Sequence, residues 1–358
     1  MQRFATDNYP CVRMKNLPLR PAARLTSIDA LLYNGGVDRL ILHCDLNNFY
    51  ASVECLRHPE WKTVPLAVSG NPEKRHGVVL AKNELAKKFG VKTGDVIWEA
   101  KQKAPGLVLV PPHFDDYMRI SKQVFTIYTH YTPYVEPFGA DECWLDCTGC
   151  ENLFGDGQQI ADTLRAVIRR ETGLTISVGV SFNKVFAKLG SDLKKPDATT
   201  VITRENFREL LWNLPANDLL MVGKHSYEKL KRLNIVTIGD LAQADDGLLK
   251  RTFGVNGLKM KESAAGENAD PVRQYDQSRT VESVGHGMTA TRDIVTDEDL
   301  SVIIYYLSEM VGARMRKQGF KGSGVSVHLR DVELETISRQ TKIAPTATDT
   351  DIAQAALA

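Results

Sequence analysis

No stretch of this sequence reaches the ~18 consecutive apolar residues that a membrane span needs, which argues against a transmembrane protein. Cysteine is scarce. The six residues Cys11, Cys44, Cys55, Cys143, Cys147 and Cys150 are too few for a disulfide scaffold. Cys147-Thr148-Gly149-Cys150 is formally C-x-x-C. It lacks the second pair or nearby His that completes a zinc site. Two reduced thiols at a strand-to-turn junction are expected there, with a redox role as the alternative. Charge of one sign is also missing: 45 Lys and Arg meet 44 Asp and Glu. That balance says nothing about partners, because a nucleic-acid enzyme can be neutral overall when its basic residues are localised. Nor is there a signal-peptide pattern, since Arg3, Asp7, Arg13 and Lys15 interrupt the first apolar residues. A cytoplasmic address is expected. Internal repeats and low-complexity tracts are absent too.

What remains is a globular composition, 43% hydrophobic and 25% charged over 358 residues. That length implies two to four domains. Two short apolar runs deliver carboxylates. The first is Leu40-Ile41-Leu42-His43-Cys44-Asp45-Leu46, followed by Asn47-Asn48-Phe49-Tyr50. The second is Phe138-Gly139-Ala140-Asp141-Glu142-Cys143-Trp144-Leu145-Asp146. Carboxylates fixed on packed strands suit hard cations such as Mg²⁺. Two such ions, roughly 3.5–4 Å apart, clamp the attacking and leaving oxygens of a phosphoryl transfer. On a regular strand Asp141 and Glu142 would face opposite ways, so a turn or bulge is needed to bring them together. Gly139 can permit one.

Periodicity organises the rest. Residues 1–37 read as an extension outside the main fold, with disorder expected. Strands are predicted at 39–44, 65–69, 77–81, 107–110, 135–138, 143–146 and 175–181. Helices are predicted at 51–56, 83–89, 97–104, 114–131, 160–171 and 183–189. This alternation predicts a ferredoxin-like sheet over 38–203 with an inserted subdomain. Residues 204–273 read as helical and 274–280 as a linker. A strand, helix, strand, strand series follows at 281–289, 300–317, 324–330 and 334–342. A last helix begins at 351, and an open sheet of this kind calls for a further strand, so a truncated chain is expected. His43, His58, His76 and His113 share no ligand spacing and read as structural.

Three motifs resemble those of the Y-family translesion DNA polymerases, closest to the bacterial DNA polymerase IV and UmuC-like branch. They are Asp45-Leu46-Asn47-Asn48-Phe49-Tyr50-Ala51-Ser52-Val53-Glu54, Ala140-Asp141-Glu142-Cys143-Trp144-Leu145-Asp146, and Gly179-Val180-Ser181-Phe182-Asn183-Lys184-Val185-Phe186-Ala187-Lys188 with Asp192-Leu193-Lys194-Lys195-Pro196. Their order and spacing fit over about residues 38 to 358. The resemblance implies an α+β right-hand polymerase. Its palm would be 38–48 and 113–203, small fingers 49–112, a helical thumb 204–273 and a little finger 281–358.

It also implies catalytic Asp45, Asp141 and Glu142 holding two Mg²⁺ ions, with the Leu46 carbonyl as a further metal ligand. Tyr50 would be the steric gate against ribonucleotides, with Phe49 beside it. Lys195 would hold the triphosphate, with Lys194 as its rival, and Lys87 would assist. In the fingers, Glu84 and Lys87 stand where the family commonly has Tyr and Arg. Lys87 keeps the charge but loses the bidentate fork, and Glu84 would repel phosphate, so either it turns away or the register differs.

The thumb segment Leu219-Leu220-Met221-Val222-Gly223-Lys224 resembles a helix-hairpin-helix that grips DNA phosphate through backbone N–H groups. Met221 replaces its usual first glycine. Gly223, Lys224, Thr289, Thr291 and Arg292 are the DNA contacts the resemblance assigns. Primer-template DNA and dNTP are the expected partners of a monomeric enzyme. The family also implies a sliding-clamp peptide near the C-terminus, which is not read in this sequence. Short fingers imply a loose pocket and low fidelity, and no second acidic cluster suggests a proofreading exonuclease. Two other classes fit less of the chain. A nucleotide cyclase lacks the thumb and little finger, and a catalytically silent DNA-binding protein has no need of the three carboxylates.

Overall fold

A computed structural model describes residues 38–71, 77–275 and 281–358. The expected extension at 1–37, His76, most of the turn after Asn71 and the linker from 276 lie outside the described residues.

The elements follow in chain order: β1 Ile41–Leu46, α1 Phe49–Arg57, β2 Leu66–Ser69, β3 Val79–Lys82, α2 Glu84–Lys88, α3 Ile97–Lys103, β4 Val108–Val110, α4 Phe114–Tyr128, β5 Val135–Pro137 and β6 Glu142–Asp146. Next come α5 Glu151–Phe154, α6 Gly157–Thr172, β7 Ile176–Ser181, α7 Lys184–Leu193, β8 Thr199–Val201, α8 Phe207–Leu211, α9 Lys224–Arg232, α10 Ile238–Gln243, α11 Asp246–Phe253 and α12 Val255–Ala265. The chain finishes with α13 Asp297–Gln318, β9 Gly322–Arg330, β10 Thr336–Thr346 and α14 Asp349–Leu357. No helix among the described residues is long and apolar enough to cross a membrane. The chain divides into two compact units.

The first unit runs through 45, then 123–167 and 177–275. It is built on a five-stranded sheet in the order β5-β6-β1-β7-β8. β1 and β7 are buried at every position, the polar His43, Asp45, Ser177 and Ser181 included, as in strands covered on both faces. The β7 backbone lies so close to α7 that a Cβ at Gly179 would fall 1.9 Å from the Ala187 carbonyl oxygen. Asn183 starts α7 by accepting a hydrogen bond from the Phe186 amide at 2.8 Å. A second core joins α7 to the helices beyond 204 through Phe186, Phe207, Leu211, Leu230 and Ile238. There Thr237 and Asp240 close a reciprocal capping box at the start of α10.

The second unit contains 46–122 and the C-terminal segment. A three-stranded sheet, β3-β2-β4, packs Leu66, Ala67, Val68 and Val110 against α1, α2 and α3 side chains such as Ala51, Ala86 and Ala100. In the C-terminal segment, β9 and β10 form an antiparallel two-stranded sheet. The strand expected at 281–289 is not formed. These residues have no assigned secondary structure, are largely exposed and lack a ladder partner. A Cβ built at Gly285 or Gly287 would meet nothing within 4 Å, so no neighbour packs against the backbone there.

Candidate active site

β1 and β6 run antiparallel, and the register sets Asp45 opposite Glu142 and Cys44 opposite Cys143. Side chains directly opposite each other share a face. Asp45 and Glu142 therefore lie on one face and the two thiols on the other. Asp141 escapes the strand alternation because it precedes the first residue of β6. Gly139, at φ 100°, turns the chain there, and its built Cβ would lie 3.7 Å from Asp141 Oδ1.

Each facing carboxylate already has a cation. Lys195 donates to Asp45 Oδ2 at 2.7 Å and bridges to Asp192 at 2.7 Å. Lys188 donates to Glu142 Oε2 at 2.6 Å. Lys194 is the exposed C-cap of α7, so of the two neighbouring lysines it is Lys195 that reaches the acidic face. Burial drives the Asp45 carboxyl up to about 7, and the Glu142 charge adds to it against the pull of Lys195. Burial works on Glu142 too, but His43 and Lys188 outweigh it and hold that carboxyl down at about 2. Asp141 is raised by burial and then by Glu142. Of the facing pair, Asp45 is the carboxyl pushed up and Glu142 the one held down. Among the described residues no three acidic, His or Cys side chains are yet gathered as a finished metal-ligand set. Asp45 and Glu142 are turned onto ammonium groups instead.

Behind the face lies His43, fully buried. Ser191 donates its hydroxyl proton to the Lys188 carbonyl at 2.7 Å, so its oxygen accepts from His43 Nδ1 at 2.8 Å. His43 Nε2 lies 3.6 Å from Glu142 Oε2, just beyond hydrogen-bond reach. Burial lowers the His43 pKa against the opposing pull of the Glu142 carboxylate. Lys188 and His43 have site positions that their motifs do not announce. The one signal is helical spacing, with Lys184 and Lys188 one turn apart on α7. Lys184 in turn donates to the buried Glu136 at 2.8 Å, and Arg273 donates to the same carboxylate at 2.7 Å.

The other expected residues sit as follows. Phe49 is buried at the start of α1, and Tyr50 is half-buried beside it with ring centroids 5.4 Å apart. Leu46, the last residue of β1, is buried. Glu84 accepts from the Asn48 side chain at 2.9 Å, while Lys87 is exposed with its ammonium 3.8 Å from Glu84. Met221 occupies the left-handed region at φ 74° and is 84% exposed. A glycine-like conformation is thus kept by a residue with a side chain. Gly223 caps α9 with no side-chain partner, and Lys224 opens that helix exposed. Thr289 and Thr291 are exposed. Arg292 is gripped by both oxygens of Asp299 at 3.0 and 2.6 Å. The five described cysteines are free.

A model described as the impB/mucB/samB family matches residues 44–192, and that family's C-terminal-domain model matches 281–358. DNA polymerase IV of Acetivibrio thermocellus is 52% identical over 302 residues, 84% of this chain and 76% of that protein. DNA polymerase IV 1 of Bacillus subtilis is 36% identical over 311 residues, 86% of this chain and 74% of that protein. Among solved structures, a Y-family DNA polymerase chimera of Dbh and Dpo4 superposes with a TM-score of 0.79 at 24% identity, covering 89% of this chain and 92% of that one. DinB from Sulfolobus solfataricus gives 0.62 at 24% identity over the same shares, 89% and 92%. The chain belongs to the Y-family of DNA polymerases, in its DinB-like branch: a template-directed translesion polymerase of low fidelity that adds deoxynucleotides to a primer end. Enzymes of this family need divalent metal ions.

Proposed function

We propose that Asp45, Asp141 and Glu142 hold two Mg²⁺ ions, with the Leu46 carbonyl as a further ligand. The observation that carries this reading is the facing pair Asp45 and Glu142 on a buried sheet, each balanced by an ammonium group. The donor set fits a hard divalent cation, being carboxylate oxygens at partly desolvated positions. When bound, such ions lower the pKa of the attacking 3′-hydroxyl and neutralise the triphosphate and the leaving pyrophosphate.

The protein's own groups do the rest. Lys195 serves as the point charge that the triphosphate competes for against Asp45. Lys188 keeps Glu142 ionised. Lys87 supplies a further positive charge from the fingers, and Tyr50, with Phe49 beside it, gates the sugar. The palm comprises 38–48 and 113–203, the fingers 49–112, the thumb 204–273 and the little finger 281–358. Gly223 and Lys224 at the start of α9 take a DNA phosphate, since an uncapped helix N-terminus presents free N–H groups. Thr289, Thr291 and Arg292 line the backbone on the little finger. The enzyme acts as a cytoplasmic monomer, with a sliding clamp as a further partner through a C-terminal segment.

Primer extension with Mg²⁺ on intact and abasic templates tests the central claim. Asp141→Ala should cut the rate on the order of 10³-fold or more, the scale of several kcal/mol of transition-state charge stabilisation. Extension that survives this change would remove Asp141 from the chemistry.

A further inference from the structure

Beneath the proposed sugar gate lies a buried acid with no role in the chemistry. Tyr50 stacks on Tyr117 with ring centroids 4.3 Å apart and planes 12° from parallel. Phe114 meets both rings edge-on at 6.0 Å. Tyr117 is fully buried, and its hydroxyl donates to Glu54 Oε1 at 2.5 Å. The same oxygen lies 2.9 Å from His113 Nδ1. Glu54 is itself fully buried one helical turn beyond Tyr50 on α1, and its second oxygen meets no partner among the described residues. Placing a carboxyl there is costly unless it is hydrogen-bonded, so packing alone does not account for this residue.

We infer that Glu54 is a positioning residue for nucleotide selection, acting through the Tyr117 hydroxyl to hold the Tyr50 ring at a fixed tilt and height. The inference rests on the reading of Tyr50 as the gate. A gate rejects a ribose only if it cannot retreat by the width of one hydroxyl. An unsupported tyrosine ring has several rotamers open to it. Stacking on the buried Tyr117 ring restricts how far Tyr50 can tilt away. Tyr117 is fixed at its far end by Glu54, and Glu54 by His113. Burial and the Glu54 carboxyl keep the Tyr117 phenol protonated, so it remains a donor throughout the working pH range. All of these residues lie in 46–122, within one compact unit.

The test compares kcat/KM for a dNTP and the matching rNTP in single-nucleotide primer extension. Tyr117→Phe keeps the stacked ring and deletes one oxygen. It should raise relative rNTP use about fivefold, on the scale of one net hydrogen bond. Glu54→Ala should do the same or more, and Glu54→Gln, which retains an acceptor oxygen, should restore most of the discrimination. A purely structural defect lowers both substrates together and leaves their ratio unchanged. Tyr50→Ala is the reference. If Tyr50→Ala admits rNTP but Tyr117→Phe leaves the ratio at the wild-type value, the Glu54 inference is wrong and the gate stands. If Tyr50→Ala itself changes nothing, the gate reading falls and the inference falls with it. Should Glu54→Ala fail to fold, Tyr117→Phe still decides.

Discussion

The five-stranded sheet and the C-terminal hairpin are both rich in β-branched residues, but the first is far more apolar and the two live in different solvents. Every residue of β1 is buried, whereas β10 is exposed at nine of its eleven positions and β9 only half-covered on alternate ones. The carboxylates stand on the first sheet. A site that must hold charges in fixed places gains from a dense, low-dielectric surround in which electrostatic interactions are strong. An open sheet face suits a hydrated, mobile polyanion, whose recognition relies on backbone contacts rather than enclosure.

The contrast breaks first at the glycines. Gly179→Ala drives a methyl into the α7 backbone and should cost about 3 kcal/mol, as overpacking against rigid atoms does. In the hairpin a Cβ at Gly324 meets nothing nearer than 3.7 Å, so Gly324→Ala should leave the urea midpoint unmoved. Equal losses would mean that the two sheets are packed alike. Truncation sharpens the same point. Leu145 is fully buried and Ile337 is 59% exposed. Leu145→Ala should destabilise by roughly 2–5 kcal/mol, while Ile337→Ala should stay within about 0.5 kcal/mol. Thermal unfolding of both variants is the measurement, and the pair fails if Ile337 proves the costlier. The smallest effect belongs to DNA. Lys224→Ala should weaken binding a few-fold and reduce the slope of log affinity against log salt by about 1. An unchanged slope would take Lys224 off the phosphate backbone.

Much of this was legible because the relevant signals are local. Consecutive apolar residues at 40–44 mark a strand buried on both faces, and an acid at its end is held rigidly. Gly139 before Asp141-Glu142 signals the turn that frees Asp141 from strand alternation. Asn83 and Asn183 mark helix starts that the structure caps with those side chains. What stayed hidden is the company each acid keeps. Lys195 lies 150 positions from Asp45, and Lys188 lies 46 from Glu142. No spacing rule links residues brought together only by the sheet. The strand expected at 281–289 failed for the opposite reason. Its pattern is local, but a strand exists only where a neighbour accepts its hydrogen bonds, and none does among the described residues. Glu84 is bound by the Asn48 side chain, a partner that sequence could not name.

The register that puts Asp45 and Glu142 on one face leaves Cys44 and Cys143 back to back on the other, with both thiols sealed from solvent. Burial pushes Cys44 up to about 12 and raises Cys143 well above the usual thiol range, so neither forms the thiolate that oxidants and alkylating agents attack. A translesion polymerase thus carries sulfur within one residue of Asp45 and Glu142, yet shields it by packing. Peroxide or an electrophile reaches that sulfur only after the strands have parted, when activity has already been lost.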